Sequence, residues 1–317
     1  MNEKYIRKIK LLNETIWENK VSKQKIDKWL ENFQEEEMNE ALYLLSQFIY
    51  YSEFSVEKLL EALYRDIFKY QIIYEIRKNN KDTLDHEFLE EQFKDHLKNT
   101  RFVSLGNPSE SSATMMGLMR KINNLPNNLF ISEEKLNSNL GDIKHFIFVD
   151  DLCGSGSQAV EYSKKTLPEL KVKYPNSKVW YLMLVATKTG KEYIINNSRF
   201  DYVGSIHELD SSYKCFDSNS RIFTNKEDDV DPDKIKIFTG KYGKNIWRQI
   251  LRNKDPNINP LLLKQICDKH KHGFGDGQLL LGFHHNTPDN TLPIIWCNEN
   301  YIDWKAIFKR FNKIYSL

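Results

Sequence analysis

At 317 residues, with 40% hydrophobic and 28% charged side chains, the chain is long enough for one large or two modest cores. Its 46 basic and 44 acidic residues nearly cancel, which removes any bulk-charge argument for nucleic acid or membrane and leaves only a local basic face open. No apolar run approaches the roughly 20 residues of a membrane span. Four scattered cysteines, Cys153, Cys215, Cys267 and Cys297, with no CxxC and no signal peptide, read as reduced thiols of a cytoplasmic protein.

The first 105 residues contain no glycine and no proline, whereas the rest holds all 13 glycines and all 9 prolines. That shift predicts a helical N-terminal domain over residues 1–98 and a second domain over 99–317. Tyr5, Ile9, Leu12 and Ile16 recur at helical spacing. Ser22 can cap a second helix that aligns Ile26, Trp29, Leu30 and Phe33. The pattern continues over 38–51, 56–77 and 85–98, with a tight break at 51–54 as in a helical hairpin or helix-turn-helix. No helix carries a one-sided stripe of Arg and Lys, so a bundle packed on the next domain is favoured over a DNA reader. Docking of a partner protein or nucleic acid by this part stays open. Trp17, Trp29, Phe48, Tyr50 and Tyr51 are assigned to the core.

From residue 101 the pattern changes to alternating strands and helices. Arg101–Leu105 reads as a strand, and Ala113–Ile122 as a helix. Between them lies a small polar loop, Gly106-Asn107-Pro108-Ser109-Glu110-Ser111-Ser112. By itself it is a turn capped by Ser112, or a set of N–H and hydroxyl donors for an anion. Ser132 opens a short helix. His145–Val149 is a buried strand, and Asp150 and Asp151 follow where it should end. Then come Gly154-Ser155-Gly156-Ser157 and a helix over 158–170. Strand, acidic pair, small-residue turn and helix make a recipe for a sugar phosphate. Glycines let N–H groups approach phosphate, serines add hydroxyls, and a helix N-terminus adds partial positive charge. The carboxylates suit vicinal hydroxyls or Mg²⁺. Strands over 178–186 and 200–206, with a helix over 188–196 between them, complete a parallel α/β sheet with helices on both sides. Its functional end is the C-terminal end of the strands.

Residues 209–255 are polar and suit a flexible hood or lid, with a helix over 234–252. Glu227, Asp228, Asp229, Asp231 and Asp233 lack the glycine and final glutamate of a calcium loop and read as a solvated turn. Cys267, His270 and His272 match no zinc spacing. Gly273, Gly275 and Gly277 lead into a strand over 278–284, which ends at His284 and His285. Asn286, Thr287, Asn290 and Thr291 follow. That set suits either an amide-rich site for a base or a structural turn whose asparagines bond their own backbone.

Two stretches carry a family resemblance. The order of four apolar residues, Asp150-Asp151, three variable residues and Ser155-Gly156 resembles the PRPP-binding motif of type I phosphoribosyltransferases. Gly275–Trp296 resembles the C-terminal signature of the phosphoribosyltransferase-like family of bacterial conflict systems, PRTase-CE. The resemblance runs from about Phe102 to the C-terminus and covers the helical part more weakly. It implies a type I phosphoribosyltransferase-like parallel sheet with flanking helices, preceded by an all-helical domain. It implies PRPP as substrate or ligand, with Mg²⁺. Gly154, Ser155, Gly156 and Ser157 would hold the 5-phosphate. Asp150 and Asp151 would be the catalytic pair on the ribose or the metal. Gly106, Asn107, Ser109, Ser111 and Ser112 would hold pyrophosphate, and His285, Asn286, Asn290 and Thr291 would face the base or acceptor. The chain departs from the pattern at Gln158, where a hydroxyl residue is usual. It also departs at Gly154, where some purine enzymes carry an Asp, and in a pyrophosphate loop without a basic residue, for which Lys188 is the nearest substitute. Three functions follow: a Mg²⁺-dependent phosphoribosyltransferase effector of an anti-phage defence system, a sensor that binds a nucleotide-like ligand without chemistry, or a partner-docking module.

Overall fold

The computed structural model describes residues 2–104, 110–224, 230–298 and 302–311. Its strands are β1 (Ile49–Tyr51), β2 (Thr100–Ser104), β3 (Phe130–Ile131), β4 (His145–Cys153), β5 (Lys178–Thr187), β6 (Tyr202–Leu209) and β7 (Leu281–Phe283). The chain forms two compact units. One combines Met1–Phe54 with Asp210–Asn312; the other is built on Ser55–Leu209. The expected division between residues 98 and 99 is therefore not where compactness divides the chain. Lack of glycine and proline reports helical propensity, and propensity does not say which core a helix joins.

In the unit built on Ser55–Leu209, five strands form one parallel sheet in the order β3-β2-β4-β5-β6. The central strands β4 and β5 are near-continuous apolar runs because both of their faces are covered, as in parallel sheets generally. Phe146, Phe148, Tyr181 and Met183 lie on one face with Val160, Leu167 and Leu170 of the helix Ser157–Lys173. Phe68 packs its ring edge-on against Phe102 of β2 and Trp180 of β5, at centroid distances of 5.3 and 5.9 Å. Phe68 lies in a stretch of wider helical turns, Leu63–Lys69, which joins Glu53–Ala62 to Tyr70–Asn79. The second half of the expected helical domain is thus a layer of the α/β unit. Each fully buried side chain of Phe148 or Leu182 size contributes about 1.5–3 kcal/mol by leaving water.

The other unit packs the helices Glu3–Thr15, Lys23–Leu30 and Met38–Ser46 with Pro232–Lys254 and the C-terminal segment around Trp17, Trp29, Phe48, Trp296 and Phe308. Trp29 donates its indole N–H to the Ile294 carbonyl at 2.8 Å. The helix expected over 38–51 stops at Ser46, and the expected helical hairpin is interrupted by β1. β1 pairs in parallel with β7, Ile49 against Leu281 and Tyr51 against Phe283. Aromatic and β-branched residues accept that pairing readily, but its partner lies far along the chain, beyond any local pattern. The expected strand over 278–284 shortens to β7. The segment read as a lid holds the 23-residue helix Pro232–Lys254, capped by the Asp231 carboxylate. Residues 225–229 of the acidic turn lie outside the described residues. Among the described residues no helix is long and apolar enough to cross a membrane.

Candidate functional site

The sheet has the chain order second, first, third, fourth, fifth. Winding therefore reverses between β2 and β4, and in open α/β sheets ligands bind outside the strand C-termini at that reversal. The two polar loops singled out in the sequence leave these two strands. Gly106, Asn107 and Ser109 lie outside the described residues. Ser111 and Ser112 belong to the helix Glu110–Ile122, with their side chains also outside them.

β4 does not end at Val149 as expected. It continues through both aspartates: Asp150 pairs with Met183, Leu152 with Val185 and Cys153 with Ala186. Twofold strand periodicity then sends consecutive side chains to opposite faces, so the acidic pair does not converge on one point. Asp150 is half-buried. Its Oδ2 accepts the Tyr181 hydroxyl at 2.9 Å and its Oδ1 accepts the Asp151 N–H at 2.9 Å. Asp151 is buried, and its Oδ1 accepts the Leu152 N–H at 2.8 Å.

The turn after β4 is held from behind. Gly156 has φ +76°, and a Cβ there would stand 2.6 Å from the Gly190 carbonyl oxygen. A Cβ on Gly190 would stand 2.0 Å from the Gly154 carbonyl oxygen. Thr187 donates its hydroxyl to that same Gly154 oxygen at 2.5 Å and accepts the Gly190 N–H at 3.0 Å. The side facing solvent carries Ser155 and Gln158, both exposed. The Ser155 and Ser157 hydroxyls lie 3.2 Å apart. Gly156 is also the N-cap of the helix Ser157–Lys173 and brings no side chain to that end, where the Ser155 hydroxyl accepts the Ser157 N–H at 3.4 Å. The first-turn N–H groups of a helix have no acceptor within it, and here they carry the positive end of the dipole. Burial and the Asp150 charge outweigh the Gly156 N–H, which favours the thiolate, and push the Cys153 thiol up to about 12, so it stays protonated at neutral pH. Lys188 is exposed at the start of the helix Lys188–Asn197.

The four acceptor-loop candidates sit in the other unit. Three of them are braces. Asn286 donates to the Phe311 carbonyl at 3.0 Å and accepts the N–H groups of Phe311 and Thr287 at 2.8 and 2.9 Å. Asn290 donates to the Phe274 carbonyl at 3.0 Å, and Thr291 donates its hydroxyl to Leu281 at 2.6 Å. All three are buried and bond the backbone of their own unit, which is the structural-turn alternative. His285 is half-buried and stacks on Phe283 with centroids 5.5 Å apart. His270 accepts the Gly275 N–H at 2.8 Å, and among the described residues no group of three metal-ligating side chains forms.

Sequence reasoning passed over Tyr181, Thr187 and Gly190. Tyr181 sits in an apolar strand run that gives no cue to a carboxylate partner. Thr187-x-x-Gly190 is a helix cap in sequence; only the fold turns that cap toward Gly154.

The PRTase-CE family model matches residues 26–310. Similar solved structures include the Helicobacter pylori xanthine-guanine-hypoxanthine phosphoribosyltransferase, at 11% identity and a TM-score of 0.27, with 51% of this chain and 89% of that chain covered. A hypothetical protein from Neisseria gonorrhoeae with bound ppGpp is similar at 13% identity and a TM-score of 0.28, with 60% of this chain and 93% of that chain covered. No curated protein matches the sequence.

Proposed function

Because the chain belongs to the PRTase-CE family, we propose that it binds a phosphoribosyl ligand, PRPP or a phosphoribosyl nucleotide, on the turn Gly154–Ser157 and acts as a phosphoribosyltransferase-like effector of a bacterial defence system. The observation that carries this reading is the turn itself: exposed toward solvent at Ser155, braced behind by Thr187 and Gly190, and leading into a helix N-terminus whose N-cap is a glycine. Those N–H groups and hydroxyls would hold the 5-phosphate. A carboxylate on β4 would face the ribose and stabilise the positive charge that builds as pyrophosphate leaves. Mg²⁺ takes one or two carboxylates together with substrate phosphates, so Asp150 or Asp151 with the ligand fits its needs without a larger protein cluster. The ion would neutralise charge on the pyrophosphate.

The test is calorimetric titration of PRPP in Mg²⁺ buffer with wild type and Ser155→Asp. Ser155 is exposed, so the variant folds, and its carboxylate repels phosphate. Saturable binding that weakens by about tenfold or more in the variant is expected; equal binding, or none in wild type, defeats the proposal.

Binding without turnover is the second reading. Gly154 offers no side chain as a general base, and the neighbouring Cys153 thiol stays protonated. Thermal stabilisation by PRPP with no pyrophosphate release, whatever acceptor is added, would select the sensor over the transferase.

A further inference from the structure

The unit that combines Met1–Phe54 with Asp210–Asn312 holds an open cleft of about 410 Å³ on the helix Pro232–Lys254. Lys236, Gly240 and Lys244 recur at four-residue spacing, so they share one helix face. Gly240 and Gly243 weaken the middle of this helix relative to alanine. What they permit is a close crossing. A Cβ on Gly243 would stand 1.8 Å from the Lys271 carbonyl oxygen, and one on Gly240 would stand 3.0 Å from His272 Nε2. That same Nε2 lies 3.0 Å from the Lys236 carbonyl oxygen, to which it donates. The crossing brings Lys271 and His272 against Lys236, Lys241 and Lys244 around one opening.

Like charges gathered this way repel unless counter-charges enter. Lys244 is paired with Asp268, and Lys241 lies 3.4 Å from Glu37. Asp276 lies 3.7 Å from His272, and Asp268, already paired with Lys244, also feels the charge of Lys271; among the described residues neither Lys236 nor Lys271 forms an ion pair of its own with a carboxylate. Lysine is a point-charge binder of phosphate, and no Phe, Tyr or Trp ring lines the cleft to read a base. We propose that this cleft is a binding site for a run of adjacent phosphate groups, held by Lys236 and Lys271 with Lys241, Lys244 and His272 around them. The run could belong to a free oligophosphate or to a nucleic-acid strand. The residues involved are not those of the Gly154–Ser157 turn, so the inference stands whether or not that turn binds PRPP.

The full chain is titrated with inorganic tripolyphosphate by calorimetry and with a labelled single-stranded RNA by fluorescence anisotropy. Wild type is compared with the double variant Lys236→Ala/Lys271→Ala and with Lys236→Arg/Lys271→Arg, which keeps both charges. Binding is expected to fall about tenfold or more in the alanine variant, to persist in the arginine variant, and to lose about one unit of salt slope per removed contact. Tighter binding of tripolyphosphate than of RNA assigns the site to free oligophosphates; the reverse assigns it to a strand. Should the alanine pair fail to fold, the single variant Lys236→Glu at an exposed position carries the same expectation. Failure of both probes to bind wild type, or unchanged affinity in the folded lysine variants, overturns the proposal.

Discussion

The hydroxyl of Thr187 donates to the carbonyl oxygen of Gly154 at 2.5 Å, joining the end of one central strand to the turn that follows the other. The Thr187 hydroxyl oxygen in turn accepts the Gly190 N–H and so caps the helix Lys188–Asn197. Thr187→Val keeps the shape and removes both bonds. A lost cap costs about 0.5–2 kcal/mol. Urea unfolding should register that loss, and PRPP titration should weaken alongside it as the turn loosens.

The contact of Gly190 with Gly154 leaves no room for a methyl group, since a Cβ would stand 2.0 Å from a backbone oxygen. Gly190→Ala must push the turn outward. Overpacking of this kind costs about 1–3 kcal/mol. Thermal unfolding should report the destabilisation, and PRPP affinity should fall further than in Thr187→Val. A variant as stable as wild type would show that the turn moves freely and is no preformed cradle.

Tyr181→Phe takes a donor from the half-buried carboxylate of Asp150. Removing a hydrogen bond to a charged group costs about 1.5–3 kcal/mol, to be read from denaturant midpoints at neutral pH. Asp150→Asn in the Tyr181→Phe background should cost less than the sum of the two single changes, because both act on one bond.

His96 Nδ1 lies 3.0 Å from His145 Nε2, so one nitrogen carries the shared proton and the other accepts it. Burial, with the neighbouring His96, Lys178 and Lys144, lowers His145 from the usual 6.5 to about 3, and burial with Lys144 lowers His96. Both are depressed in the fold, so the unfolded chain binds more protons at mildly acidic pH. The neutral-state stability of His145 is complete above about 6.5 and is lost as pH falls toward about 3, and His96 adds a loss in the same direction. The fall is at most about 1.4 kcal/mol per pH unit for each ring. Urea unfolding across that range should show the slope, and His145→Gln should flatten it.

Much of the sheet was legible. β4 and β5 are long apolar runs, and their alternation with helices sufficed to place a parallel sheet. The grouping of the helices was not legible. Ile49–Tyr51 reads as the end of a helix until Leu281–Phe283 is beside it. Phe68 and Trp29 look alike as buried aromatics, yet one packs on the parallel sheet and the other bonds Ile294. The acceptor loop shows the same limit. Asparagine and threonine in a turn suit a ligand or their own backbone equally well, and the choice for Asn286 rests on Phe311.

By itself the order of residues settled local matters: where the backbone prefers strand or helix, and that a turn of glycine and serine follows an acidic pair. These follow from propensity and periodicity over a few residues. Only the tertiary structure decided that the acidic pair lies within β4 rather than beyond it, that Gly190 backs the turn, and that Lys271 and Lys236 line one cleft. Each of those depends on contacts between distant segments, which packing selects and neighbouring residues do not encode.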